Sequence, residues 1–381
     1  MRIALVAAEP SGDRLAAGLM AALNARVPGV RFEGVGGERM AAQGLKSRFP
    51  MEKLSVMGLV EVVRHLPELI ALRRGLVRHW RTHPPDLFIG IDAPDFNLGL
   101  EKALRAGGVP TVHYVSPTVW AWRENRVKRL RRAADRVLCI FPFEPEFLAR
   151  HGIDARYVGH PLAAAYPLAP DRAAARRALA LPRRGPVLAL LPGSRMAEVE
   201  RIGPPFLEAA VRLAGRVPDL RVAVPTATEA TDARLRALVR RHAAGLPITV
   251  HPGRTAEVLT AADAALVASG TATLEALLCK RPMVVGYRMH PLTYWIITGL
   301  GLLKTERVAM ANLLSPEPMA PELLQQACTP DRLAGALEPF FFDEERRMRV
   351  ERVYAEAHRR LRMATDETAA QVVLEVLEAK R

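Results

Sequence analysis

Arg2-Ile-Ala-Leu-Val-Ala-Ala-Glu-Pro-Ser-Gly-Asp13 decides the fold. Arg2–Ala7 is an apolar run with no polar alternation, the mark of a strand buried on both faces of a parallel sheet. A turn of small and polar residues follows, and Arg14–Ala25 then reads as a helix. Ser11 or Asp13 is placed to cap that helix, and its first N–H groups can meet an oxyanion. A plain capped turn with no ligand accounts for the same residues.

The unit recurs outward from there. Arg31–Val35, Asp86–Ile91, Thr111–Val115 and Arg136–Ile140 read as strands, each trailed by a helical stretch. Near Gly159–Pro170 the pattern breaks into Gly, Pro and Ala. It restarts with Pro186–Leu191, Arg221–Val224, Ile248–His251, Ala264–Val267 and Met283–Val285, and from Asp331 onward it is helical only. The expectation is an α/β chain of two Rossmann-like doubly wound domains, 1–165 and 166–335, followed by helices of 336–381. That is the layout of two-lobed (GT-B) glycosyltransferases. Ligands in such sheets sit beyond the carboxyl ends of the strands, so the cleft between lobes is the expected site.

Composition narrows the partners. The 381 residues suit two cores better than one. The net charge of +14 asks for nucleic acid, anionic lipid or a phosphorylated substrate. No nucleic-acid reader motif or series of stacking aromatics is present, so no nucleic acid is expected. Cys139, Cys279 and Cys328 lie far apart, without metal-ligand spacing, and read as reduced thiols. Glu9 and Asp13 interrupt the apolar start, so no secretory leader is expected. Pro291–Leu303, the most apolar long run, falls short of the roughly 20 residues that span a bilayer. A cytoplasmic location is expected.

Four segments carry chemistry. Gly90-Ile-Asp92-Ala-Pro94-Asp95-Phe-Asn97 ends a strand and opens a helix. Asp92 and Asp95 suit general-base work, although Asp95 or Asn97 can instead cap the helix. His113-Tyr-Val-Ser116-Pro-Thr-Val-Trp120-Ala-Trp122 ends the next strand. Trp120 and Trp122 can stack on a sugar or clamp the loop, and His113 alone reads as a satisfied core histidine. Leu191-Pro-Gly193-Ser194-Arg195 brings a glycine for close approach, a capping serine and an arginine fork for an oxyanion. Ser269-Gly270-Thr271-Ala-Thr273-Leu-Glu275 repeats the design with hydroxyls, and Glu275 is placed to accept from ribose hydroxyls. Two such cradles in one domain point to a nucleotide diphosphate. Gly34-Val-Gly36-Gly37 lacks the third glycine of a dinucleotide fingerprint, since position 39 is Arg. No metal motif is present, so no metal and no cofactor are expected.

Arginines also crowd two helical stretches. Arg123–Arg136 suits phosphate or an anionic surface, or is simply a wet helix face. Gly58–Trp80, with Arg64, Arg73, Arg74 and Arg78 among Leu, Val and Ile, reads as an interfacial helix or as an internal one with arginines outward.

Pro10-Ser-Gly-Asp13, Gly90 to Asn97, His113 to Trp122, Phe141-Pro-Phe-Glu144, Val158-Gly-His-Pro161, Leu191 to Arg195 and Ser269-Gly-Thr271 together resemble the lipid-A-disaccharide synthase family, in order and over most of the chain. The resemblance implies inverting transfer from UDP-2,3-diacylglucosamine to 2,3-diacylglucosamine 1-phosphate (lipid X), with release of UDP. It implies Asp95 as base, with Asp92 as the alternative. Gly193, Ser194, Arg195, Ser269, Gly270, Thr271, Glu275 and Asn312 would hold UDP, with Glu322 and Gln325 nearby. Ser11, Asp13, Asn97, Ser116, Trp120 and Trp122 would line the acceptor and donor cleft. Such acylated substrates imply peripheral association with an anionic inner-membrane surface, through Met57, Leu59, Val60, Arg73, Arg74 and Arg78. The resemblance also implies that the helices of 336–381 pack back on the first lobe, and a homodimer exchanging them is a further expectation. A UDP-N-acetylglucosamine epimerase is the alternative with the same phosphate loops.

Overall fold

The computed structural model describes residues 1–54, 59–117, 124–289 and 307–380. Met57, Trp120 and Trp122 lie outside them, and of Leu59 and Val60 only the backbone is described. The chain forms two compact units, Met1–Ala164 with Leu361–Arg381, and Ala165–Arg360. The return to the first unit therefore comes at Leu361, whereas the sequence reading put it at residue 336.

In the first unit seven parallel strands lie in the order β3-β2-β1-β4-β5-β6-β7. They are β1 (Arg2–Ala7), β2 (Arg31–Val35), β3 (Leu45–Ser47), β4 (Leu87–Ile91), β5 (Thr111–Tyr114), β6 (Arg136–Cys139) and β7 (Ala155–Tyr157). Strand β1 is central, with Val6 opposite Val35 on one side and Gly90 on the other. Ile3 to Ala7 are fully buried, which explains the lack of polar alternation. The helix Thr365–Glu378 packs on the helix Pro10–Arg26 and buries Ala369, Ala370, Val373 and Leu377.

The second unit repeats the plan with six parallel strands, in the order β10-β9-β8-β11-β12-β13. They are β8 (Val187–Leu191), β9 (Arg221–Thr226), β10 (Ile248–Pro252), β11 (Ala264–Ala268), β12 (Met283–Tyr287) and β13 (Glu322–Leu324). In each unit the chain winds one way from a central strand and then returns to wind the other way. The switch points fall between β1 and β4, and between β8 and β11. Crevices open there because successive crossovers leave toward opposite faces.

The ten strands read from the sequence are all present, within two residues at each end. The three that were not read, β3, β7 and β13, are three-residue strands at sheet margins. A strand covered on one edge needs no continuous apolar run, so it leaves no such signal. The helix expected at Arg14 starts at Pro10, where the missing N–H and fixed φ of proline suit a first helical position.

The helix Leu59–Thr82 turns an apolar face inward, with Leu76 and Trp80 buried and Leu69, Leu72 and Val77 packed on the core. Arg74 and Arg78 point outward. Over its described side chains it is an internal helix with a wet arginine face. Among the described residues no helix is long and apolar enough to cross a membrane.

Candidate active site

Both switch points carry loops that the sequence singled out. In the first unit, Asp92 and Ala93 link β4 to the helix Pro94–Arg105, and both adopt left-handed backbone, with φ 49° and 44°. For residues with a Cβ that conformation costs about 1–3 kcal/mol each and persists only where neighbours hold it. Asn97 holds it. Its two Nδ2 hydrogens are shared among the carbonyls of Val6 (3.2 Å), Ile91 (3.2 Å) and Asp92 (2.9 Å). One side chain thus ties the ends of β1 and β4 to the turn.

Asn97 is fully buried and straps the turn. The helix takes Ala93 at its N-cap position with no side-chain cap, so neither Asp95 nor Asn97 caps it. Beneath lie Glu101 and His113, both fully buried and 2.7 Å apart. Burial raises the Glu101 carboxyl above its ordinary value, against the pull of His113. Gly90 is required there, because a Cβ would strike Glu101 Oε1.

The two aspartates differ sharply. The half-buried Asp92 carboxylate makes no hydrogen bond or ion pair with the described residues. Asp95 is 73% exposed, with Oδ2 3.0 Å from Arg126 Nη2 and Oδ1 3.8 Å from Arg129 Nη1.

Other expected cleft residues of this unit are already committed or lie at its margin. Asp13 is buried and accepts from the N–H groups of Gly37 (2.8 Å), Arg39 (3.1 Å) and Met40 (3.1 Å). It braces the neighbouring turn and does not cap its own helix, whose N-cap position, Glu9, also lacks a side-chain bond. Ser116 is buried, bonds the Pro117 carbonyl at 3.2 Å and follows Val115 at φ 78°. Ser11 is exposed in the first helical turn.

In the second unit a concavity of about 430 Å³ is lined by Gly193, Ser194, Arg195, Ser269, Gly270, Thr271 and Glu275, together with Glu198, Thr226 and Tyr287. Gly193 has φ 121° and Gly270 φ 134°, conformations that glycine adopts without penalty. Arg195 and Thr271 are exposed, and among the described residues Arg195 makes no side-chain ion pair. Arg195 occupies the N-cap position and Ser194 makes no cap bond, contrary to the capping role read for it. Thr273 is buried, with its hydroxyl bonded to the Gly270 carbonyl at 2.8 Å and accepting from Met310 N at 3.0 Å. Only Thr271 of the two threonines is therefore free to meet a ligand.

The sequence reading missed Glu198. Its Oε2 accepts from Ser194 N at 3.1 Å and from Arg195 N at 3.4 Å. A carboxylate thus occupies the N–H groups that a phosphate would use. The signal was present, because Glu three residues after the N-cap is capping-box spacing. Tyr166 was also missed. Its hydroxyl donates to Glu275 Oε1 at 2.8 Å from 109 positions away, a distance no motif spans. Burial raises the Glu275 carboxyl, and the Tyr166 bond opposes it.

Asn312 does not line this concavity. It is buried, and its amide bonds Ala320 O (2.7 Å), Ala320 N (2.9 Å) and Glu322 Oε1 (2.7 Å). Glu322 in turn accepts from Val308 N and Ala309 N. The pair is an internal clasp. Gln325 accepts from Met289 N at 3.2 Å.

A family model described as lipid-A-disaccharide synthetase matches residues 3–375. The chain is 51% identical over 376 residues to a lipid-A-disaccharide synthase of Alkalilimnicola ehrlichii, covering 98% of each. It is 50% identical over 380 residues to that of Pseudomonas aeruginosa, covering 100% of this chain and 99% of the relative. Among solved structures, Anabaena HepE in complex with UDP and glucose aligns at TM-score 0.59 and 12% identity, over 100% of each chain. A UDP-GlcNAc 2-epimerase of Neisseria meningitidis bound to UDP-GlcNAc aligns at 0.61 and 10%, also over 100% of each. A putative UDP-N-acetylglucosamine 2-epimerase of Listeria monocytogenes aligns at 0.62 and 12%, over 99% of this chain and 96% of that one. These structural likenesses bear on the two-domain GT-B fold alone.

Proposed function

Because the chain belongs to the lipid-A-disaccharide synthase family and is a glycosyltransferase forming the lipid A disaccharide, we propose that it transfers 2,3-diacylglucosamine from its UDP derivative to lipid X with inversion. The acceptor hydroxyl loses its proton to an aspartate as its oxygen bonds the anomeric carbon. The bond from that carbon to the UDP oxygen breaks, and its electron pair leaves with the diphosphate. Inversion needs one in-line displacement and therefore one base.

We assign the base to Asp92, reversing the order read from the sequence. A half-buried carboxylate on a strapped turn, unpaired among the described residues, is available to a proton, whereas Asp95 is exposed and already neutralised by two arginines. Arg195 and the N–H of Thr271 would neutralise the departing diphosphate, and Glu275 would orient the ribose. The single observation carrying this reading is the concavity of glycines, hydroxyls and an unpaired arginine at the second switch point. An assay with radiolabelled lipid X and the UDP-linked donor tests it. Disaccharide must form only with both present, and turnover of UDP-GlcNAc without an acceptor would instead indicate an epimerase.

Because the proposed substrates are acylated, we extend the reading to a peripheral enzyme of the inner-membrane surface, acting as a homodimer. Arg74 and Arg78 on the wet face of the helix Leu59–Thr82 support this, as does a basic groove lined by Lys102, Lys128 and Arg132. Arg73 packs over Gly99 and contributes less charge to the surface. Replacing Arg73, Arg74 and Arg78 with Glu is expected to abolish co-sedimentation with anionic liposomes. Sedimentation equilibrium reads the oligomeric state.

A further inference from the structure

At the opposite end of the second sheet from the nucleotide loops, a cavity of about 610 Å³ opens beside Pro186 and Asp263, where β8 and β11 begin. It is lined by Arg172, Arg176, Arg183, Arg184 and Arg347 against one carboxylate, Asp263. That carboxylate is already occupied. Its Oδ2 accepts from Arg176 Nη2 (2.9 Å) and Val187 N (2.8 Å), and its Oδ1 pairs with Arg172. Arg176 spends its other groups on the carbonyls of Ala261, Pro182 and Arg183. Arg183, Arg184 and Arg347 make no side-chain hydrogen bond or ion pair among the described residues.

The surplus of positive charge is not relieved from behind. Arg281 is buried on carbonyls of Cys279 and Ala262, and Glu351 is the other carboxylate in range. Burial, and then repulsion from Arg176, Arg281 and Arg347, brings Arg172 down to about 10. The fold thus holds five arginines together at a concave surface, where Asp263 is already committed and Glu351 offsets only part of the charge. A multivalent anion supplies that charge, and guanidinium forks match phosphate oxygens in pairs.

We propose that this cavity is a second anion site, selective for phosphate groups and distinct from the nucleotide concavity. The five-residue strand β8 separates the two, roughly 16 Å at about 3.3 Å per residue. The phosphate is carried either by a soluble molecule or by a lipid headgroup, and Phe342, 61% exposed at the rim, is compatible with both.

Calorimetric titration of the full chain with pyrophosphate, in chloride buffer and with UDP saturating, tests it. A further saturable one-to-one event is expected. Arg184→Glu and Arg347→Glu should each weaken it about tenfold, and the Gln variants less. UDP affinity is read on the same samples; it should not move, and it reports folding and the nucleotide site independently. Flotation with phosphatidylglycerol vesicles against phosphatidylcholine vesicles identifies the source. Charge-dependent flotation lost in the double variant assigns a headgroup, and titration without it assigns a soluble phosphate. No saturable event with either probe, or binding undiminished in the double variant (an adventitious ion only), overturns the proposal.

Discussion

The two switch points share one topology and are furnished in opposite ways. At β1 and β4 the turn is built from residues with a Cβ, Asp92 and Ala93, forced into left-handed backbone and strapped by buried Asn97. At β8 and β11 the turns use Gly193 and Gly270, where positive φ carries no penalty, and the Glu198 carboxylate accepts from the N–H of Ser194 and of Arg195. The first arrangement fixes a carboxylate at the cost of strain. The second turns without strain and sets a carboxylate on its backbone donors. Strand order selects where a crevice forms, and the residues in the turn select the chemistry proposed for it.

The comparison breaks most readily at Asp92. Asp92→Asn is expected to lower kcat by about two or more orders of magnitude, as loss of a general base does. Asp95→Asn should cost about tenfold or less. Equal losses, or the reverse order in lipid X turnover, would show that the strained turn is not what makes the base. Asn97→Ala tests the strap. Removing a buried donor from three carbonyls should cost about 1–3 kcal/mol in urea unfolding. It should lower kcat more than it changes KM for the donor. An unaffected midpoint would mean that the turn holds itself.

Two smaller effects sharpen the second crevice. Glu198→Gln removes the like charge from the cradle and should tighten UDP binding about tenfold, roughly 1.4 kcal/mol. Unchanged or weaker binding in a fluorescence titration would show that Glu198 is not in the phosphate position. Glu275→Gln has the smallest expected effect. Burial raises the folded carboxyl above its ordinary 4.5, so the folded state binds more protons than the unfolded one above that pH. Wild-type stability should therefore fall as pH rises from 4.5, while the Gln variant, still able to accept from Tyr166, should not show this fall. The variant should melt slightly higher at pH 7, with the gap closing below pH 4.5 and UDP bound more weakly. A lower melting point at pH 7 would contradict the burial argument.

The legible parts of this chain were those written in consecutive residues. Arg2–Ala7 and Ala264–Val267 read as buried strands because burial on both faces removes every polar alternation. The phosphate turns read as cradles because glycine and hydroxyl residues following a strand have few other uses. Edge strands β3, β7 and β13 were silent because three residues with one free edge need no apolar run.

Sequence alone therefore determined two parallel sheets and the place of their switch-point loops, because a backbone conformation and a side-chain type are local properties. Only the tertiary structure decided which polar residues remain available. Asp13 and Asn97 look like ligand contacts in the chain, yet Asp13 accepts from the N–H of Gly37 and the Asn97 amide donates to the carbonyl of Val6, both distant in sequence. It also brought Tyr166 to Glu275 and, among the described residues, left Asp92 unpaired while Arg126 took Asp95. A hydrogen-bonding group buried in a low-dielectric interior must find a partner, and folding, not sequence proximity, supplies that partner.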